Sequence, residues 1–218
     1  MEWAELTCVS LLTYCPRDGT AEAERSRDIK TALKTGKVGG DPPTSMCRQI
    51  AGFIRSHLDL PPLYAAFASR PVLVPTPKSS LTRAGDLWVP LQLAQELVAA
   101  GLGSRVAAIL TRSEAIPKSA ISPPSERPTA SRHFETLAVQ AELGAVDSFL
   151  LIDDVVTRGA TLLGAAHRLR TSFPAIPVQA FAALRTVSNP SEFQRITDPA
   201  VETIWRRTDG STLRRPSA

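Results

Sequence analysis

One stretch constrains this chain more than any other: Phe149-Leu150-Leu151-Ile152-Asp153-Asp154-Val155-Val156-Thr157-Arg158-Gly159-Ala160-Thr161. Its four leading apolar residues predict a strand covered on both faces, the mark of a central strand in a parallel sheet. Two adjacent carboxylates stand at the expected C-terminal end of that strand, where open parallel sheets bind ligands. Thr-Arg-Gly-Ala-Thr follows, a small-residue turn into a helix expected over 160–170. Such a turn lines up backbone N–H groups at a helix N-terminus and suits a monoester phosphate. Carboxylates able to grip sugar hydroxyls, next to a phosphate cradle, fit a phosphorylated ribose. The plain alternative is that Asp153 and Asp154 cap a helix and Gly159 only makes the turn. That alternative leaves two charges at the end of a dry strand without partners, which is costly.

The rest of the chain supplies a scaffold for such a strand. A strand is expected over 6–14, then a helix over 20–34 with acidic residues early and lysines late, as the helix dipole prefers. A second helix, over 44–58, places Met46, Ile50, Phe53, Ile54 and His57 at helical spacing, and Pro42-Pro43 and Pro61-Pro62 bracket it. Val72-Leu73-Val74 reads as a buried strand entering a polar loop, Pro75-Thr76-Pro77-Lys78-Ser79-Ser80. Leu87, Leu91, Ala94, Leu97 and Val98 give one apolar helical face, stopped by Gly101 and Gly103. Strands are expected over 106–110, 134–140 and 178–184, with a long polar loop over 111–132. Strands alternating with helices predict an α/β fold with a mainly parallel sheet flanked by helices. The expected division is a small N-terminal strand-and-helix unit over 1–70, a core over 71–205 and a basic tail over 206–218.

Composition narrows the class. The 218 residues are 43% hydrophobic and 21% charged, a globular balance that excludes wholesale disorder. No apolar run approaches the ~18–20 residues of a membrane-spanning helix. Met1-Glu2-Trp3-Ala4-Glu5 is acidic and unlike a signal peptide, so a cytoplasmic protein with no membrane partner is expected. Most of the net charge of +4 is local: Arg206, Arg207, Arg214 and Arg215 stand against Asp209 near the C-terminus. A nucleic-acid contact there would rest on Trp205 as the one stacking ring beside those arginines; a solvated end is the simpler reading. Cys8, Cys15 and Cys47 show no paired spacing and His57, His133 and His167 are scattered, so free thiols are expected rather than a structural zinc site. There is no Walker A sequence, and Gly101-Leu102-Gly103 lacks a third glycine and follows a helix, which rejects a dinucleotide fingerprint.

The thirteen-residue string resembles the phosphoribosyl diphosphate (PRPP) motif of type I phosphoribosyltransferases: four apolar residues, two acids, two apolar residues, Thr, a variable residue, Gly, a small residue and Thr. The resemblance implies that fold, with PRPP and Mg²⁺ bound. Asp153 and Asp154 would hold the ribose 2′- and 3′-hydroxyls, with the metal near them. The backbone of Thr157, Arg158, Gly159, Ala160 and Thr161 would cradle the 5′-phosphate, with the Thr157 and Thr161 side chains contributing. Arg158 is bulkier than the small residue common there and must point outward or toward phosphate. Thr157 stands where purine-salvage members place an aspartate that acts on the base, and is similar to orotate-type and ComF-type members instead.

Further segments resemble the ComF-like branch. Val72 to Pro77 with Lys78 is similar to its pyrophosphate loop, which implies that Lys78, Ser79, Ser80 and Arg83 grip the diphosphate; Arg83-Ala84-Gly85-Asp86 departs from that branch's Arg-Gly-Phe-Asn. Tyr14, Asp28-Ile29-Lys30 and Leu33-Lys34-Thr35-Gly36-Lys37 resemble its N-terminal segment, without the four-cysteine zinc element. The loop over 111–132, with Lys118, Arg127 and Arg132, lies where the family carries a catalytic lid, so Lys118 and Arg127 would offset charge on the leaving pyrophosphate. The resemblance implies transfer of phosphoribose to a nitrogenous base by a homodimer. The alternative from a different class is a non-catalytic PRPP-binding or ComF-like accessory protein linked to DNA uptake or nucleic-acid metabolism.

Overall fold

The computed structural model describes residues 3–36, 38–39, 43–81, 85–117, 126–140 and 143–217. The first strand, β1 (Leu6–Tyr14), is buried at seven of its nine positions, as expected of a strand with both faces covered. Helix α1 (Ala21–Thr35) starts where Thr20 Oγ1 accepts the Ala23 N–H and ends at Gly36, whose φ of 65° is the left-handed conformation that glycine adopts at least cost. A two-residue pair, β2 (Val38–Gly39) and β3 (Thr44–Ser45), leads into α2 (Met46–Ser56), capped by Ser45. Pro61 and Pro62, expected only to bracket this helix, start another, α3 (Pro61–Phe67); proline suits a first helical turn, where its missing N–H is not needed.

The remaining elements are β4 (Val72–Pro75), α4 (Val89–Ala99), β5 (Arg105–Val106), β6 (Leu110–Arg112), α5 (Ala130–Glu135), β7 (Leu137–Val139), β8 (Phe149–Val156), α6 (Ala160–Ser172), β9 (Val178–Thr186), β10 (Thr197–Arg206) and β11 (Thr212–Pro216). Seven strands form one sheet in the order β11-β10-β1-β9-β8-β4-β5. From β1 to β5 every pairing is parallel; β10 joins β1 antiparallel and β11 closes a hairpin on β10. The protein is an α/β fold with a mostly parallel central sheet flanked by helices.

Alternation along β8 shows the two layers. Leu150 and Ile152 point into a core shared with Leu33, Ile54, Phe67, Leu93 and Leu97 from α1, α2, α3 and α4. Phe149 and Leu151 point into a second core with Leu162, Leu163, Ala166 and Leu169 of α6. Side chains from either side of residue 70 meet in the first core, and β1 lies inside the sheet between β9 and β10.

Four expectations are corrected. The strand expected over 106–110 is two short pieces, β5 and β6, on different sheets. The strand expected over 134–140 begins as helix, because Thr129 caps α5, and only β7 is extended. The strand holding the acids runs on through them to Val156. The arginines expected on a tail stand on a sheet-edge hairpin: Arg206 ends β10, and Arg214 and Arg215 lie in β11. Local sequence carries little signal for the hairpin, because Asp198, Pro199 and Glu202 break the apolar pattern of β10, and the buried Glu202 is paired with Arg214. The three cysteines are buried and free, as expected. Among the described residues no helix is long and apolar enough to cross a membrane.

Candidate functional site

The C-terminal ends of β4 and β8 lie side by side. Pro75 pairs with Ile152, and the Thr76 N–H donates to the Ile152 carbonyl at 2.9 Å. This register brings the loop after β4 against the acid pair in β8. The buried Thr76 side chain donates to Asp153 Oδ1 at 3.0 Å, and Trp88 Nε1 donates to the Thr76 carbonyl at 2.7 Å.

The two acids have different surroundings because successive strand residues face opposite ways. Asp153 Oδ1 accepts from Thr76 and from the Asp154 N–H, while its Oδ2 has no protein partner among the described residues. Burial and the neighbouring Asp154 charge push the Asp153 carboxyl up to about 7, with Lys34 opposing them. Asp154 is turned toward α1. Its Oδ2 is ion-paired with Lys34 and its Oδ1 accepts the Val155 N–H at 2.7 Å. Lys34 is a site residue that the pattern of acids does not reveal; its only signal is its place in the Leu-Lys-Thr-Gly string that ends α1.

The turn after β8 is built as expected in outline. Thr157 and Arg158 are exposed, and Gly159 is the N-cap of α6 with φ 83°, so no side chain caps the first-turn N–H groups. The glycine itself answers to packing. A Cβ there would stand 2.5 Å from Ile204 Cδ1 of β10, so packing against β10 and a positive φ both demand glycine at this position. Thr157 Oγ1 lies 3.1 Å from Thr186 Oγ1 at the end of β9. Thr161 Oγ1 lies 3.3 Å from His133 Nε2 of α5.

Arg214 braces this turn from β11. Its Nε donates to the Thr157 carbonyl at 3.1 Å, its Nη2 to the Thr186 carbonyl at 2.7 Å, and its Nη1 is paired with Glu202. Sequence reading missed Arg214 because charge counting makes a surface patch of it; only the hairpin turns it inward.

The other expected residues divide. Lys78 sits in the loop after β4 and is ion-paired with Asp86 at 2.9 Å, within that loop. Ser79 and Ser80 are half-buried beside it. Arg83 and Lys118 lie outside the described residues. Arg127 is half-buried just ahead of α5. The loop expected over 111–132 is in part regular structure: Thr111 and Arg112 belong to β6, and Arg132 to α5, where it pairs with Glu114 at 2.7 Å.

Arg112 is a third unforeseen residue, after Lys34 and Arg214. It is 9% exposed, and its Nε donates to the Lys78 carbonyl at 2.6 Å while its Nη1 donates to Thr136 Oγ1 at 2.6 Å. It ties the loop after β4 to the β6–β7 pair and α5. Burial pulls its guanidinium down to about 10. Among the described residues no cluster of three or more His, Cys, Asp or Glu side chains is arranged to hold a metal.

No family model matches the chain, and no curated protein matches it. Solved structures that overlap it include a hypoxanthine phosphoribosyltransferase from Staphylococcus aureus, with 11% identity over 66% of this chain and 73% of that one and a TM-score of 0.36. A hypoxanthine phosphoribosyltransferase from Trypanosoma cruzi overlaps 75% of each chain with 12% identity and a TM-score of 0.34. Overlaps this loose transfer no activity.

Proposed function

We propose that the chain is a PRPP-binding protein of the type I phosphoribosyltransferase class that transfers phosphoribose to a nitrogenous base. One observation supports this above the others: the Thr76–Asp153 hydrogen bond and the β4–β8 register put a Lys-Ser-Ser loop, a carboxylate and an uncapped helix N-terminus at one edge of the sheet. The arrangement fits the order of groups along PRPP: diphosphate, ribose hydroxyls and 5′-phosphate.

On this reading the first turn of α6 receives the 5′-phosphate, where the helix dipole and free N–H groups favour an anion. Asp153 Oδ2, the one oxygen of the acid pair without a protein partner among the described residues, takes the ribose hydroxyls. Asp154 serves indirectly by fixing Lys34, and contacts ribose only if that ion pair opens. Lys78 leaves Asp86 for the diphosphate, and Arg83, Lys118 and Arg127 are the further cations expected to offset its charge. The donor chemistry at Asp153 is hard oxygen and fits magnesium, which prefers few protein ligands together with substrate oxygens. Bound there, Mg²⁺ would offset diphosphate charge. The chain's own contribution is positioning and preorganised charge around the anomeric carbon.

A non-catalytic PRPP-binding protein is the second reading, favoured by the Lys34–Asp154 pair, which occupies one of the two acids expected to grip ribose. Calorimetric titration of PRPP with and without Mg²⁺ tests both readings. Metal-dependent binding with pyrophosphate release in the presence of a panel of bases supports the enzyme. Binding without release in any of them supports the second reading, and no binding by the folded protein overturns both.

A further inference from the structure

We propose that Arg112 and His133 are positioning residues that hold the Thr161 hydroxyl as a hydrogen-bond donor toward a phosphate at the N-terminus of α6. The ligand's identity rests on the PRPP reading; the direction of each hydrogen bond comes from geometry alone. Arg112 Nη2 lies 3.4 Å from His133 Nδ1. A guanidinium has donors and no acceptor, so Nδ1 accepts. A neutral imidazole with Nδ1 accepting carries its proton on Nε2. Nε2 lies 3.3 Å from Thr161 Oγ1, so the ring donates and the Thr161 oxygen accepts. The hydroxyl's own hydrogen finds no acceptor among the described residues. Thr161 is the second residue of α6, beside the N–H groups that Gly159 leaves uncapped.

The surroundings keep this polarity in place. His133 is 3% exposed, and burial together with the Arg112 charge pulls its imidazole down to about 3. A protonated ring would set an Nδ1–H against the guanidinium. Arg112 is in turn held by the Lys78 carbonyl and Thr136, so one buried cation links the diphosphate loop to the phosphate turn. Close contact of α5 with α6 brings the ring within reach, since a Cβ on Gly164 would meet the Ala130 carbonyl oxygen and His133 Cβ, each at 2.6 Å.

Two measurements test the assignment. In ¹⁵N NMR of the ligand-free protein, His133 is expected to show a bare Nδ1 and a protonated Nε2; a protonated Nδ1 overturns the proposal whatever the protein binds. In calorimetry with ribose 5-phosphate, Thr161→Val is expected to weaken binding about tenfold, in line with loss of a hydrogen bond to a charged group. His133→Phe weakens it as well, and the double variant is no weaker than Thr161→Val alone, because His133 acts through Thr161. His133→Gln, which can present an amide N–H near the Nε2 position, restores most of the affinity. Additive losses, or no loss in Thr161→Val, overturn the proposal. Wild-type protein that binds ribose 5-phosphate but not PRPP would overturn the PRPP reading and leave this one standing; binding of neither overturns both. The wild-type spectrum remains decisive where His133→Phe fails to fold.

Discussion

Asp153 is where residue chemistry and stability pull against each other. Its carboxyl, pushed up to about 7, keeps in the folded state a proton that the unfolded chain releases near pH 4. The associated stability is therefore full below about pH 4 and is lost as pH rises through about 7. Asp153→Asn keeps the shape and removes the charge. At about pH 8 it should raise Tm by about 2–4 °C for each kcal/mol recovered while weakening PRPP binding at least about tenfold. Thermal melts and calorimetry on the same preparation check both signs; a lower Tm would mean that the charge is well compensated. Gly159 offers the opposite case. Gly159→Ala meets both a left-handed φ and the Ile204 side chain, and should cost about 2–4 kcal/mol in urea unfolding. Adding Ile204→Ala removes the collision but not the φ strain, so the variant should recover less than the full loss once the new cavity is included.

At the scale of elements, two helices and a hairpin hold the turn. The α5–α6 contact is close because Gly164 faces the backbone of α5, and Arg168 reinforces it by donating to the Phe134 carbonyl at 2.7 Å and lying 3.9 Å over its ring. Gly164→Ala should separate the helices and cost about 1–3 kcal/mol, measured by chemical denaturation. The hairpin acts through Arg214. Arg214→Ala leaves Glu202 buried without its partner, a loss of about 3–5 kcal/mol for a buried pair broken from one side. Replacing both as Arg214→Met with Glu202→Leu should restore much of the stability but not the hydrogen bonds to Thr157 and Thr186. The double variant should then melt close to wild type and still bind ribose 5-phosphate more weakly. Equal affinity would show that the brace is structural only.

For the whole molecule, truncation after Arg206 separates a tail from a structural strand. A solvated tail could be removed without consequence, whereas loss of β11 strips Glu202 of Arg214 and leaves β10 as an open edge. Circular dichroism melts should show a markedly destabilised or unfolded chain; an unchanged melt would contradict the hairpin. The amino-acid sequence by itself determined the parallel α/β character, the β8–turn–α6 unit and the positions of β1, α1, α2, β4, α4 and β9, because each depends on local periodicity, apolar runs and turn residues that neighbours in the chain supply. It also pointed to the Asp153–Asp154 pair and to the turn after it, since that chemistry lies in consecutive residues. Only the tertiary structure decided that Asp154 answers to Lys34, that Gly159 makes room for Ile204, and that Arg112, His133 and Arg214 surround the turn. These partners are brought together by sheet order and helix packing across long stretches of chain, and no local pattern of charge or hydrophobicity records where a buried ion or a close contact will find its partner.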